Sequence, residues 1–377
     1  MPQSQKDSSA KLSTSDNVIQ QDIGRSQGQV IGQMYGGQAV DAKEIGVFVS
    51  GGSVVFQSIG NANLPYTLHQ TERTVPSLLP YLPNRSNQEF ELGQAIQVFF
   101  KQEIRRPLIC IVHGDEFQCH DKFLERLQKV SLPRLMKLDP DETVIKKYHL
   151  DWPSSLKNLK NLPERLSKNL ADTVEGYSFA SLDQINHRFC QYPGPVIVHT
   201  HLYSEHWQQQ GFEILHELLT FWNHWPDLAQ NQNLLVCLFV TYQVKQPKPL
   251  KIIWIPNPCA LIRCFFRHHH RQKLNQQIHQ KLEELAASQF DQFDRLSGII
   301  LPELTGISRM QVESWVRSED TKMFVGEAML EKLLEAVREM FDQWEAQTTS
   351  NTIPMNDVGK NLFQLLESLK VAKGELS

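Results

Sequence analysis

Three short, nearly all-apolar runs constrain the fold of this chain more than any other feature. They are RPLICIVHG at 106–114, GPVIVHTH at 194–201 and NLLVCLFVTYQV at 233–244. Such runs are typical of strands buried on both faces, and amphipathic helical patterns separate them along the chain. Strands that alternate with helices predict an α/β fold, a mostly parallel sheet with helices on both faces. PRLMKLD at 133–139, KIIWIP at 251–256 and SGIILPEL at 297–304 are further strand candidates.

The composition divides the 377 residues into five parts. Residues 1–16 are polar and predicted to be disordered. Residues 17–63 are rich in Gly, Gln and Val and predict short strands, whereas residues 64–90 carry four prolines and predict a linker. The α/β domain is expected over 91–348. Residues 349–377 form a tail with an amphipathic helix of the kind that suits contact with a partner.

Charge and hydropathy exclude several classes of protein. The formal net charge of −4 argues against a chain that coats nucleic acid or an anionic membrane. No apolar run reaches the roughly 18–20 residues that span a bilayer, and the polar N-terminus does not resemble a signal peptide. Six cysteines without a CxxC exclude a zinc ribbon. The sequence therefore predicts a cytoplasmic protein with protein partners and no membrane contact.

The segment IVHGDEFQCHD follows a predicted strand and precedes a predicted helix. Nucleotide-binding α/β proteins place their phosphate loop at this point, with the pattern G-x-x-x-x-G-K-[ST]. In register, Gly114 keeps the first glycine. Cys119, His120 and Asp121 stand where the second glycine, the lysine and the Ser/Thr belong. The segment is therefore predicted to be a degenerate phosphate loop.

The chemistry of this loop is wrong for phosphate. Asp115 and Glu116 add negative charge, and two like charges about 4 Å apart repel by roughly 4 kcal/mol at an effective dielectric near 20. A neutral imidazole at position 120 cannot replace an ammonium group. The strand PVIVHTH carries His199 and His201 where the acid that holds Mg²⁺ would sit. The sequence predicts no ATP hydrolysis, no cofactor, no catalytic residue and no metal ion.

Three segments together resemble a known family. They are RPLICIVHGDEFQCHDKFLERL, PVIVHTHL and ILPELTGISRMQVESWV. They resemble the inactive STAND domain of bacterial conflict and signalling proteins, and the resemblance covers roughly residues 90–345. It implies a fold similar to STAND-type P-loop NTPases with the Walker motifs lost. It further implies a signalling or scaffolding role without catalysis, usually beside a small N-terminal effector-associated segment.

Polar side chains follow several of the predicted strands and are expected to crowd one edge of the sheet. They are His113, Asp115, Glu116, His120, Asp121, His199 and His201. The favoured interpretation is a structural hydrogen-bond network. The alternative is a metal- or ligand-binding enzyme, because histidines at i and i+2 on a strand point the same way. That alternative uses His113, Asp115, His199 and His201.

LTGISRMQVESWV offers a second alternative, the turn and second helix of a helix-turn-helix. Ser308 would cap the helix. The side chains that would face the core are Val312, Trp315 and Val316. Because only Arg309 and Arg317 are basic on this helix, few side chains could read bases, and the pattern argues against nucleic-acid binding.

The N-terminal segment predicts assembly. VVFQSIGNAN at 54–63 loosely resembles the Q-x-G-x-x-N core of amyloid signalling motifs, although Ser58 separates Gln57 from Ile59. Ordinary strand pairing is favoured, with templated stacking and a flexible segment as alternatives. The residues predicted to mediate assembly are Val54, Val55, Phe56, Gln57, Ile59, Gly60 and Asn61. The sequence thus predicts a non-catalytic scaffold that forms homo-oligomers or recruits a like segment on an effector.

Overall fold

The protein is described here by a computed structural model that covers most of the chain. The described residues are 45–50, 53–58, 74–99, 105–139, 143–153, 158–244 and 258–375. They belong to two compact units, Met1–Glu72 and Arg73–Ser377. No described helix combines the length and apolar character needed to cross a bilayer.

The first unit contains a β-hairpin. Strand β1 (Ile45–Ser50) pairs antiparallel with β2 (Ser53–Ser58), and Ile45 lies opposite Ser58. Strand formation predicted for this segment is therefore present between Ile45 and Ser58. The predicted disordered segment 1–16 and the predicted assembly residues Ile59, Gly60 and Asn61 lie outside the described residues.

The second unit is built on a five-stranded sheet. Its strands are β3 (Leu108–Asp115), β4 (Lys146–His149), β5 (Val196–Tyr203), β6 (Leu234–Tyr242) and β7 (Ser297–Ile300). Their order across the sheet is β4-β5-β6-β3-β7, and every neighbouring pair is parallel. The predicted α/β fold with a mostly parallel sheet is confirmed. A short antiparallel ladder joins β8 (Ile307–Ser308) to β9 (Thr352–Ile353).

Twelve helices are described. In chain order they are α1 (Ser86–Phe99), α2 (His120–Arg126), α3 (Leu132–Met136), α4 (Leu162–Glu175), α5 (Leu182–Cys190), α6 (Ser204–Gln210), α7 (Glu213–Asn223), α8 (Pro258–Ala287), α9 (Arg309–Val316), α10 (Glu319–Val325), α11 (Leu330–Gln347) and α12 (Met355–Glu375). A π-helical stretch at Leu127–Ser131 joins α2 to α3, and short 3-10 turns lie at Leu79–Tyr81, Leu159–Asn161 and Glu327–Met329.

Helices cover both faces of the sheet. The apolar side chains on both sides of the central strands are therefore buried. All nine residues of β6 are buried. Alternate positions along each strand belong to different cores, because successive side chains point to opposite faces. One core joins the sheet to α4, α5, α7 and α8, and the other joins it to α1, α2 and α3.

Two strand predictions differ from the structure. Residues 133–139, predicted as a strand, contain helix α3, which begins beside Pro133. Pro suits the first turn of a helix, because its missing N–H would have no partner there. Strand β4 has the sequence KKYH and escaped prediction, because a polar edge strand lacks the apolar signal. The candidate strand at 251–256 lies outside the described residues.

The predicted linker overlaps ordered structure. Helix α1 begins at Ser86, and Val75 and Leu79 are buried in a third core with the C-terminal helices α9 to α12. The amphipathic face predicted for the tail packs into the same core through Val358 and Leu362. That face is therefore covered within the chain and is not available to a partner.

Candidate functional site

The loop after β3 is closed by its own side chains. The Asp115 carboxylate accepts the backbone N–H of Phe117 through Oδ1 at 2.8 Å and the Gln118 side-chain amide through Oδ2 at 3.0 Å. A second turn bond runs from the Gln118 N–H to the Asp115 carbonyl at 3.1 Å. A loop amide of the kind that cradles phosphate is thus already bonded to a carboxylate.

The charged residues Glu116 and Arg85 hold the loop to neighbouring segments of the chain. Glu116 donates its N–H to the Tyr242 carbonyl at 2.9 Å, and its Oε1 accepts the Val244 N–H at 3.0 Å. The buried Arg85 donates to the Gln118 side-chain oxygen at 3.2 Å and to the Thr305 carbonyl at 2.9 Å. Burial, followed by the nearby Arg126, lowers the pKa of Arg85 to about 10, so this guanidinium stays charged at neutral pH.

Gly114 serves packing. A Cβ built on Gly114 would lie 2.7 Å from the Leu304 carbonyl oxygen and 2.9 Å from the Leu304 Cβ. The Leu304 N–H donates to the His113 carbonyl at 2.8 Å, which brings this segment against the end of β3. The close approach of a neighbouring backbone therefore accounts for the glycine at this position.

The other three degenerate positions do not provide a cation. His120 is buried, and burial together with His201 lowers its pKa to about 3, so the imidazole is neutral near pH 7. Cys119 precedes α2 in a left-handed conformation, with φ of 55°, and burial raises its pKa to about 11. Asp121 lies in the first turn of α2, where its carboxylate is 88% exposed. The loop lacks both a lysine ammonium and a reactive thiolate.

The C-terminal helices contact the same loop. The backbone N–H of Asn356, in the first turn of α12, donates to the Phe117 carbonyl at 2.9 Å. Cys119 packs against the core of the C-terminal helices, and its Sγ lies 4.0 Å from the Asn356 side-chain oxygen. The loop is thus bonded to β6, to Arg85 and to α12.

The Asp115 carboxylate thus occupies the loop that stands in the position of a phosphate loop. The comparison of this chain with protein families agrees with this geometry. Residues 80–240 match the family described as inactive STAND. This part of the chain is therefore similar to the inactive STAND family. The match spans α1 to β6 and includes all of the loop. No curated protein matches the chain.

Several solved structures show a remote likeness to the whole chain. PCH-2 of C. elegans is 12% identical, with a TM-score of 0.28, over 78% of this chain and 72% of that one. Drosophila ORC bound to DNA is 10% identical, with a TM-score of 0.28, over 84% and 72%. The Aeropyrum pernix ORC1 protein in complex with DNA is 12% identical, with a TM-score of 0.26, over 79% and 87%. Scores this low carry no argument about this chain.

The polar side chains that are predicted to crowd one edge of the sheet lie on its two opposite faces. His113 lies in register with Val240, which belongs to the core under α7 and α8. His201 lies in register with Phe239, which belongs to the core under α2. Residues in register on neighbouring strands share a face. His113 is therefore separated by the sheet from His199 and His201.

On the α2 face, His199 and His201 meet a histidine that the sequence did not indicate. His149 on β4 lies in register with His199, and the two rings stack with centroids 4.7 Å apart and planes 4° apart. The His201 ring stands nearly perpendicular to His199 at 5.7 Å and stacks on Phe239 at 4.9 Å. One ring nitrogen from each of the three histidines lies within 4.8 Å of the other two.

Burial lowers the pKa of both His199 and His201. It lowers the pKa of His199 to about 3, with further contributions from His149 and His201. It also lowers the pKa of His201, although Asp121, 3.4 Å from His201 Nε2, opposes that shift. His199 Nδ1 and His120 Nε2 are buried without a hydrogen-bond partner among the described residues.

On the opposite face, His113 meets groups from β6, α8 and the segment after β7. Its Nδ1 lies 2.8 Å from the Tyr242 hydroxyl, and its ring also interacts with the Leu301 carbonyl. His279 lies between Glu283, 3.2 Å from its Nε2, and Glu303, 3.9 Å from its Nδ1. A cavity of about 280 Å³ borders this group. Burial, followed by the nearby His279, lowers the pKa of His113 to about 4.

The helix-turn-helix alternative gains no support from the geometry. Helix α9 forms as predicted, and Ser308 begins it with a capping box in which its N–H donates to Gln311 Oε1 at 2.8 Å. The predicted core residues Val312, Trp315 and Val316 are buried. Arg309, however, is paired with Asp342 at 2.5 Å and with Glu345 at 3.2 Å, so its charge is already neutralised.

Sequence reasoning missed the residues that complete these groups. They are Arg85, His149, Tyr242, His279 and Glu303. Arg85 stood in a predicted linker, and His149 stood in a strand without an apolar pattern. His279 and Glu303 lie far along the chain from His113, so no local spacing connects them.

Proposed function

We propose that this chain is a non-catalytic signalling or scaffold protein of a bacterial conflict system that works by protein–protein assembly. The observation that carries the proposal is the closed loop after β3, in which the Asp115 carboxylate accepts the Phe117 N–H at 2.8 Å. The match of residues 80–240 to the inactive STAND family supports the same proposal.

Phosphoryl transfer needs a cation at the phosphates and an acid that holds Mg²⁺. Position 120 offers a neutral imidazole with a pKa of about 3. The end of β5 offers His199 and His201, whose pKa values burial also lowers. Neither feature serves a nucleotide, which supports a role without catalysis.

The hairpin of the first unit is the proposed assembly element. Within the described residues, β1 and β2 form a sheet of two strands only. An isolated two-stranded hairpin is marginally stable in water, and each of its strands presents an edge that can pair with a further strand. The proposed partner is a like segment, on a second copy of the chain or on an effector.

The test uses Val55, which lies opposite Phe48 in the middle of the hairpin. Val55→Pro removes a backbone N–H and should block strand pairing, whereas Val55→Thr keeps the N–H and the β-branched shape. Light scattering on the full chain is expected to show oligomers for the wild type and the Thr variant, and monomers for the Pro variant. An unchanged oligomeric state in the Pro variant would refute assembly through the hairpin.

A further inference from the structure

Two strands bring three histidines together at the carboxyl edge of the sheet. His149 and His199 are register partners on β4 and β5, and His201 follows two residues later on the same face. One nitrogen of each ring lies within 4.8 Å of the others. In open α/β sheets, ligands bind outside the carboxyl ends of the strands.

Two of the three rings carry a carboxylate neighbour. His149 Nδ1 lies 3.5 Å from an Asp151 oxygen, and His201 Nε2 lies 3.4 Å from an Asp121 oxygen. A carboxylate beside one ring nitrogen is the usual outer partner of a histidine that binds a metal through the other nitrogen. It fixes the orientation of the ring and makes the ligating nitrogen more basic.

The third ring has an unused nitrogen. His199 is only 8% exposed, and its Nδ1 has no partner among the described residues. Buried polar groups almost always have a partner, so an unpaired imidazole nitrogen in this position points to a missing ligand. His120, which is 6% exposed, leaves its Nε2 unpaired nearby.

We propose that His149, His199 and His201 bind a late first-row transition-metal dication such as Zn²⁺. Three imidazole ligands suit Zn²⁺, whereas Mg²⁺ and Ca²⁺ prefer oxygen ligands. Three protein ligands leave a fourth position open for water or for a side chain of a partner protein. The site would also fasten the edge strand β4 to β5.

Binding requires one local movement. A tetrahedral Zn²⁺ with Zn–N bonds of about 2.0–2.1 Å needs ligating nitrogens about 3.3 Å apart. The parallel His149 and His199 rings cannot both direct an in-plane lone pair at one ion. The His149 side chain is 51% exposed and its Asp151 partner is 75% exposed, so the two can turn together at the surface, and metal binding would break this stack.

A second group, His113, His279 and Glu303, has equally close ligand atoms. Protein groups already satisfy it, because Tyr242 and the Leu301 carbonyl serve His113 and two carboxylates flank His279. No ring nitrogen of this group is buried without a partner among the described residues. The observations therefore favour the His149 group.

The test titrates the chelator-stripped full chain with Zn²⁺ against a chromophoric competitor and with Co²⁺ by visible absorption. We expect one ion per chain and a Co²⁺ spectrum typical of tetrahedral nitrogen coordination. His149→Ala is expected to weaken binding at least ~100-fold, and Asp121→Asn about 10-fold, as for loss of an outer partner. His187→Ala, at an exposed histidine on α5, is the matched control and should leave affinity unchanged.

Two other outcomes would contradict the proposal. Loss of the tight site in His279→Ala, or on replacing the run His268–His270 with alanine, together with its retention in His149→Ala, would overturn the proposal. Absence of a stoichiometric ion in the wild type would overturn it as well. Because His149 is exposed, its replacement should not disturb folding, and circular dichroism of each variant verifies this.

Discussion

The loop after β3 and the histidine edge of β4 and β5 lie at the same end of the sheet but differ in how their polar groups are satisfied. In the loop, the Asp115 and Glu116 carboxylates and the Arg85 guanidinium all have protein partners. At the histidine edge, His199 buries a ring nitrogen that has no partner within the described part of the chain, and so does His120, where the loop passes into α2 beside that edge. The difference teaches that the loop that resembles a nucleotide site is not the region whose polar groups are best placed to bind a ligand.

Among the changes that test this difference, replacement of Arg85 should have the largest effect on the free energy of unfolding. Arg85→Ala leaves the Thr305 and Gln118 oxygens without their donor, and we expect a loss of about 3 kcal/mol in the free energy of unfolding. Arg188→Ala, at an exposed arginine bonded to Gln191, should cost less than about 1 kcal/mol. Urea unfolding measures both, and equal losses would show that Arg85 does not hold the loop.

The unpaired histidines should make stability depend on pH. The pKa of His120 is about 3 in the folded protein and near 6.5 when unfolded, so the unfolded chain binds more protons between these values. Stability is then complete above about pH 6.5 and falls as the pH drops, by up to ~1.4 kcal/mol per pH unit for this group. His120→Gln should flatten that slope, whereas His187→Gln should not. Urea unfolding from pH 7 to 4.5 in the presence of a chelator tests this, and equal slopes would contradict it.

The smallest effect should follow from restoring the phosphate-loop sequence. The triple variant Cys119→Gly, His120→Lys and Asp121→Thr is expected to show no ATP hydrolysis, because Asp115 still occupies the loop and no acid ends β5. Lys at a buried position costs stability, so folding is verified by circular dichroism and the double variant without His120→Lys serves as control. Turnover of ATP would mean that another acid holds Mg²⁺.

Much of the fold could be predicted from the sequence, but the placement of the histidines on opposite faces of the sheet could not. Strands β3, β5 and β6 each contain a continuous apolar run, which reveals their burial. For the same reason they show no alternation, so the face on which His113 or His199 lies cannot be inferred. The pairing of His149 with His199 depends on a polar edge strand, and a sequence of four residues, KKYH, carries too little pattern to predict it.

Gly114 shows that packing alone can require glycine at one position of a binding motif. Any larger residue at this position meets the Leu304 backbone, whether or not a nucleotide is ever bound. Packing alone is therefore enough to require glycine here, whatever residues stand at positions 119–121. A glycine at the first position of a phosphate-loop pattern is thus, by itself, a statement about backbone packing and not about nucleotide use.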